Sequence, residues 1–173
     1  HVARAADELA GTDVLVCTVA GFPLGAHLTQ IKVAEAQAAV GQGATEIDMV
    51  ASVTSMKSKR YDDVFNDIRL VTEAVHAESG VVKVIIETCL LTADEKKRMC
   101  AAVTQAGADF IKTSTGFSTG GATIEDVALL KANVGPGVKV KASGGIRDAK
   151  TAYDMINAGA DRLGTSSGVK LVG

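Results

Sequence analysis

Short β-rich runs alternate with helix signals from one end of this chain to the other, at a repeat of roughly 25–35 residues. The runs are Val14–Val19, Glu46–Val50, Val81–Glu87, Phe110–Thr113, Val138–Ala142 and Arg162–Gly164. Between them, Thr29 can cap a helix to about Val40, closed by Gly41 and Gly43. A second helix is predicted from Tyr61 to Glu78, with Val64, Ile68, Val71 and Val75 at helical spacing and Gly80 beyond. Thr92 and Glu95 form a capping box for a third, which ends before Gly107. Thr123 opens a fourth that ends near Asn133–Gly135, and Asp148 opens a fifth that ends at Gly159. Parallel strands need a crossover that is usually helical, so this alternation predicts βα units around a parallel sheet, in one α/β domain over 1–173.

Six strands fall short of the eight in a (β/α)8 TIM barrel. An open doubly wound sheet is the alternative, but no GxGxxG fingerprint follows a strand. Two features favour the barrel. Val2, Ala5, Ala6 and Leu9 share a helical face ahead of the first strand, as the tail of a helix that begins earlier would. The last two strands lead into Ser143-Gly144-Gly145-Ile146, with Arg147 next, and into Thr165-Ser166-Ser167-Gly168. Glycines let backbone N–H groups approach an anion, hydroxyls add donors, and barrels often bind phosphate on the loops after strands seven and eight. The chain is therefore expected to be a barrel lacking its first two βα units, roughly 50–60 residues, with a further helix begun at Val169–Gly173. Two open sheet edges would invite association, so a homo-oligomer or a partner-completed form is expected.

An internal echo locates unusual charges. Gly43-Ala44-Thr45, Gly107-Ala108-Asp109 and Gly159-Ala160-Asp161 each end a helix and enter a strand. Five residues past each glycine stand Asp48, Lys112 and Gly164, at equivalent places on three strands. A charged residue inside a strand covered on both faces is expensive unless it is paired or neutralised. Alternation puts Lys112 on the face of Phe110 and Ser114, and Lys141 on the face of Lys139. Both lysines precede glycine-rich loops, at the mouth where barrel chemistry happens. Two close lysines depress each other's pKa, and a free amine is a nucleophile toward carbonyls. Asp48 can move protons, directly or through water. Lys112, Lys141 and Asp48 beside a phosphate cradle suit Schiff-base chemistry on a phosphorylated aldehyde. Lys139 reads as a rim residue, Lys83 with Glu87 as an ion pair along one strand face, and Lys112 has the alternative reading of a phosphate ligand only.

Composition removes several other functions. A net charge of −2 and only 3% aromatic residues, with no Trp, give no footprint for nucleic acid. No apolar run approaches the ~20 residues of a membrane span. Cys17, Cys89 and Cys100 are odd in number and widely spaced, as reduced thiols of a cytoplasmic protein would be. Neither they nor the three His cluster at zinc-ligand spacing, so no metal is expected.

Several stretches resemble the deoxyribose-phosphate aldolase family. They are Cys17 to Gly25 (CTVAGFPLG), Glu46 to Val50 (EIDMV), Lys83 to Thr88 (KVIIET), Ala106 to Gly121 (AGADFIKTSTGFSTGG), Val140 to Arg147 (VKASGGIR) and Gly164 to Gly168 (GTSSG). The likeness runs in order over nearly the whole chain. It implies a TIM barrel and a class I aldolase, without metal or cofactor. The implied reaction is reversible cleavage of 2-deoxy-D-ribose 5-phosphate to acetaldehyde and D-glyceraldehyde 3-phosphate. By the same resemblance, Lys112 is the Schiff-base lysine, Lys141 the second lysine and Asp48 the acid/base partner. Gly116, Gly144, Gly145, Arg147, Gly164, Ser166 and Ser167 would hold the phosphate. The family's first two units do not match anything here, which leaves the unaided activity of the chain open. Two other readings stay open as well: an isomerase or epimerase of a sugar phosphate that needs no imine, and a non-catalytic phosphosugar-binding fragment.

Overall fold

The computed structural model describes residues 1–173. Its strands are β1 (Cys17–Ala20), β2 (Glu46–Val50), β3 (Val81–Ile85), β4 (Phe110–Lys112), β5 (Lys139–Ser143) and β6 (Arg162–Gly164). They form one sheet in sequence order, and every neighbouring pair is parallel. The helices are α1 (Val2–Glu8), α2 (Thr29–Gly41), α3 (Val53–Lys57), α4 (Tyr61–His76), α5 (Ala93–Gln105), α6 (Ile124–Asn133), α7 (Ala149–Asn157) and α8 (Gly168–Val172). The sheet curls so far that Arg162 of β6 reaches across the interior to Glu46 of β2. The result is an open, barrel-like α/β shell with β1 and β6 as its edges.

The pleat explains which side chains go where. Successive residues of a strand point to opposite faces. Ile47, Met49, Val82, Val84, Ile111, Val140 and Ala142 belong to the apolar core, together with Val64, Ile68, Val71 and Val75 of α4, Met99 and Val103 of α5, and Val127 and Leu130 of α6. Burying each such larger side chain stabilises the fold by about 1.5–3 kcal/mol. The alternate positions belong to the other face. The third residues of β2, β3, β4 and β5 are Asp48, Lys83, Lys112 and Lys141, and all four are buried. Apolar energy thus comes from the outer layer, which frees the inner one to carry charge.

The repeated Gly-Ala turn is a helix stop. Gly43, Gly107 and Gly159 take φ of 100°, 72° and 110°. The amides of Ala44, Ala108 and Ala160 reach back to Ala39, Val103 and Met155, the pattern of a Schellman cap, which needs a left-handed residue. In two of the three turns the following aspartate also anchors the neighbouring strand. Asp109 accepts from the Val82 amide and Asp161 from the Val140 amide, each at 2.8 Å.

Thr92, Thr123 and Asp148 cap α5, α6 and α7 with their side chains, and Thr92 and Glu95 complete the expected capping box. Thr29 differs from expectation. Leu28 occupies the cap position of α2, and the Thr29 hydroxyl donates to Asp67 instead. Asp67 is already the partner of buried Lys32, and the hydroxyl completes that carboxylate. The first strand also begins later than the β-rich run suggests. Val14 and Leu15 are exposed, because pairing with β2 starts only at Cys17. The third ends before Glu87, whose φ of 54° leaves the extended region. Two short elements had no periodic signal: α3, capped by Ser52, and a 3-10 turn at Thr88–Leu90.

Candidate active site

Strand register assembles the centre. Asp48 on β2 lies opposite Lys83 on β3, and Lys112 on β4 lies opposite Lys141 on β5. One carboxylate gathers all three lysines. Asp48 Oδ2 accepts from Lys112 Nζ at 2.6 Å and from Lys141 Nζ at 2.7 Å. Its Oδ1 accepts from Lys83 Nζ at 2.9 Å and from Cys17 Sγ at 3.2 Å. Beneath this hub, Glu46 pairs with Lys83 at 2.6 Å and takes both oxygens to Arg162, at 2.8 and 2.7 Å. The Arg162 guanidinium rests on the Phe110 ring at 5.1 Å. Lys83 therefore bonds to Glu46 and Asp48, which corrects the expected pairing with Glu87. Glu87 faces Thr115 instead. Exposed Lys139 lies over the Phe110 ring at 5.6 Å.

Charge balance in this buried cluster is uneven: four basic groups (Lys83, Lys112, Lys141, Arg162) meet two carboxylates (Glu46, Asp48). The groups respond differently. Burial favours the neutral acid at Asp48, but the ammonium groups of Lys112, Lys141 and Lys83 outweigh it and hold the carboxyl well below the usual range. Burial disfavours the ammonium of Lys83 too, yet Asp48 and Glu46 more than compensate and raise its pKa. At Lys112 burial wins. It lowers the pKa against the pull of Asp48, and the like charge on Lys141 adds to the lowering. Burial, with Asp48 beside it, pushes the Cys17 thiol up. Lys112 thus gives up its proton more readily than an ordinary lysine, and Lys83 less readily.

Lys112 also lines a cavity of about 530 Å³. Around it stand Thr115, Gly116, Phe117, Ser143, Gly144, Gly145, Ile146, Arg147, Gly164, Thr165 and Ser166. The amides of Gly116, Gly144, Gly145 and Ser166 make no hydrogen bond within the protein. Gly116 and Gly145 have left-handed φ of 88° and 82°, and a Cβ at either would meet open space. Their backbone is therefore bare toward a ligand, as an anion cradle requires. Gly164 has another reason to be glycine: a Cβ there would lie 2.8 Å from the Cβ of Ser143 and 3.2 Å from Lys141 Cε.

The structure brings Asp48, Lys112 and Lys141 into direct contact. It places Gly116, Gly144, Gly145, Arg147, Gly164 and Ser166 on the cavity wall beside Lys112. Ser167 does not line the cavity, and its amide donates to Thr165 Oγ1. Thr165, from the second of the expected phosphate loops, lines it too; Thr115 and Phe117 line it without having been singled out, as Glu46, Lys83 and Arg162 form the floor of the hub. The charges inside strands were the available signal for Glu46 and Lys83. An amine that gives up its proton more readily than an ordinary lysine, next to a fixed ammonium and a fixed carboxylate, can attack a carbonyl once deprotonated. The bare amides and Arg147 offer a place for an anion on the same substrate.

Comparisons with known proteins point to aldolases. The family model described as DeoC/LacD family aldolase matches residues 1–171. The deoxyribose-phosphate aldolase of Brevibacillus brevis is 57% identical over 171 residues, which is 99% of this chain and 76% of that protein. A solved aldolase designated QR15 superposes with a TM-score of 0.92 at 47% identity, over 99% of this chain and 76% of that one. The tetrameric deoxyribose phosphate aldolase of Aeropyrum pernix gives 0.88 at 37% identity, over 99% and 70%. Sequence, fold and the lysine-lined cavity converge, and the chain belongs to the DeoC/LacD family of aldolases.

Proposed function

We propose that this domain, residues 1–173, is a deoxyribose-phosphate aldolase working through a lysine imine. The observation that carries the reading is the single carboxylate of Asp48 holding Lys112 and Lys141 together while Lys112 opens onto a cavity lined with bare amides. The Lys112 amine adds to C1 of the open-chain sugar and water leaves, giving a protonated imine. Loss of the C3 hydroxyl proton then breaks C2–C3. Its electron pair moves into the imine, leaving an enamine and releasing D-glyceraldehyde 3-phosphate. Protonation of the enamine carbon and hydrolysis release acetaldehyde and regenerate the amine. The iminium is the electron sink, so no metal is required for polarisation.

Asp48 is a weak base, held ionised by its lysines. Its acid/base part therefore runs through Lys141, which shares its Oδ2, or through water. Gly116, Gly144, Gly145, Arg147, Gly164 and Ser166 receive the phosphate, with Ser167 behind them at the start of α8. A dianion there would offset the surplus positive charge of the interior. No helix is long and apolar enough to cross a membrane, and Cys17, Cys89 and Cys100 are unpaired, which supports a cytoplasmic setting. A homo-oligomer is supported by the tetrameric relative and by exposed Leu24, Leu28, Phe117 and Tyr153.

Incubation with 2-deoxy-D-ribose 5-phosphate tests the reading. Equal amounts of acetaldehyde and D-glyceraldehyde 3-phosphate are expected, at a rate that EDTA leaves unchanged. An isomerised sugar phosphate without acetaldehyde would favour the imine-free alternative. Binding without turnover would leave a phosphosugar-binding domain.

A further inference from the structure

We propose that Glu87 is a positioning residue for the substrate phosphate, acting through the loop after β4 and not through the reacting atoms. Its backbone lies in the left-handed region at φ 54°, a conformation that costs any residue with a Cβ and persists only where surrounding contacts impose it. Its carboxyl is buried and forms no ion pair with any base of the chain. Both oxygens go to one residue. Oε1 accepts from the Thr115 amide at 3.2 Å and Oε2 from the Thr115 hydroxyl at 2.5 Å. Thr115 Oγ1 in turn accepts from the Phe117 amide at 3.1 Å. This chain of bonds closes the turn around Gly116, and Thr115, Gly116 and Phe117 all line the cavity.

The amine end of the site is held by other contacts. Lys112 is fixed by Asp48, and its carbonyl accepts from the Ile86 amide at 3.0 Å. A fault at Glu87 should therefore reach the phosphate cradle and spare imine formation. A buried carboxylate with no cation is a poor stabiliser, so what it contributes is the turn it shapes.

This inference rests on the aldolase reading above, and the test separates the two. Wild type, E87Q, T115V and T115S are compared with 2-deoxyribose 5-phosphate, with unphosphorylated 2-deoxyribose, and in borohydride trapping with acetaldehyde, which carries no phosphate. E87Q and T115V are expected to raise KM for the phosphorylated sugar about tenfold, equivalent to about 1.4 kcal/mol. In E87Q, kcat, the use of unphosphorylated sugar and the trapping rate should stay within about twofold. T115S keeps the hydroxyl and should recover most of what T115V loses. An E87Q variant with unchanged KM for the phosphorylated sugar would overturn the proposal. So would a loss equal for all three substrates, the mark of a merely structural role. If E87Q does not fold, the contrast between T115V and T115S decides. Wild type that neither cleaves nor traps would overturn the aldolase reading instead.

Discussion

Replacing Asp48 with Asn removes the one charge that three lysines share, while nearly preserving shape. Asp48 accepts three charge-assisted hydrogen bonds from ammonium groups at 2.6–2.9 Å, each of a kind worth about 1.5–3 kcal/mol. The Asn oxygen, placed where Oδ2 lies, can keep the two from Lys112 and Lys141, but its NH2 then points at the Lys83 ammonium. Breaking a buried ion pair by removing one partner costs about 3–5 kcal/mol, and D48N should lose about that much. With a urea m-value of about 2 kcal/mol/M, the unfolding midpoint should fall by about 1.5–2.5 M. The loss should also depend on pH. A free aspartate titrates near 3.8 and Asp48 well below that, so in acid the unfolded chain binds more protons than the native one. The stability contributed by Asp48 is complete above the unfolded value and disappears as pH falls through the native one. The gap between wild type and D48N should accordingly narrow below pH 3.8. Turnover should fall about 10²–10⁴-fold, while borohydride still traps acetaldehyde on Lys112. A gap under about 1 kcal/mol at pH 7, or one that stays constant into acid, would refute the account of the hub.

K141L removes a like charge beside Lys112, so Lys112 should hold its proton to higher pH, and the pH at which trapping is half-maximal should move up. K32M strands the buried Asp67, leaving it only Thr29 and Ser52 as donors. It should cost about 3–5 kcal/mol in urea unfolding, and D67N in the same chain should recover more than half. G121A puts a Cβ 2.3 Å from the Gly144 carbonyl oxygen, so the Gly-Gly loop must shift. KM for the phosphorylated sugar should rise by more than about tenfold, with acetaldehyde trapping spared.

Much of this was legible in the residue pattern, for physical reasons that also mark its limit. The alternation of strand and helix signals follows from side-chain periodicity, so Tyr61–His76 and Glu46–Val50 could be placed closely. Asp48, Lys112 and Lys141 stood out because charge inside a buried strand must have a reason. The identity of the partners was not legible. Lys83 and Glu87 share a strand face by spacing, but the sheet sets Lys83 opposite Asp48, and register between parallel strands has no local code. The left-handed turn at Glu87 was hidden for a related cause. No glycine marks it, and distant groups hold it there: Thr115 at its carboxyl, and the carbonyls of Lys112 and Thr113, which accept from the flanking amides of Ile86 and Thr88. Helix α3 is too short for a period, and Ser52 capping it is a local event that apolar spacing cannot report.

Borohydride reduction in the presence of acetaldehyde, followed by peptide mapping, tests the central claim most directly. One ethyl adduct is expected, on the peptide that carries Lys112, and none in K112A. Modification spread over surface lysines, or an adduct that persists in K112A, would contradict it.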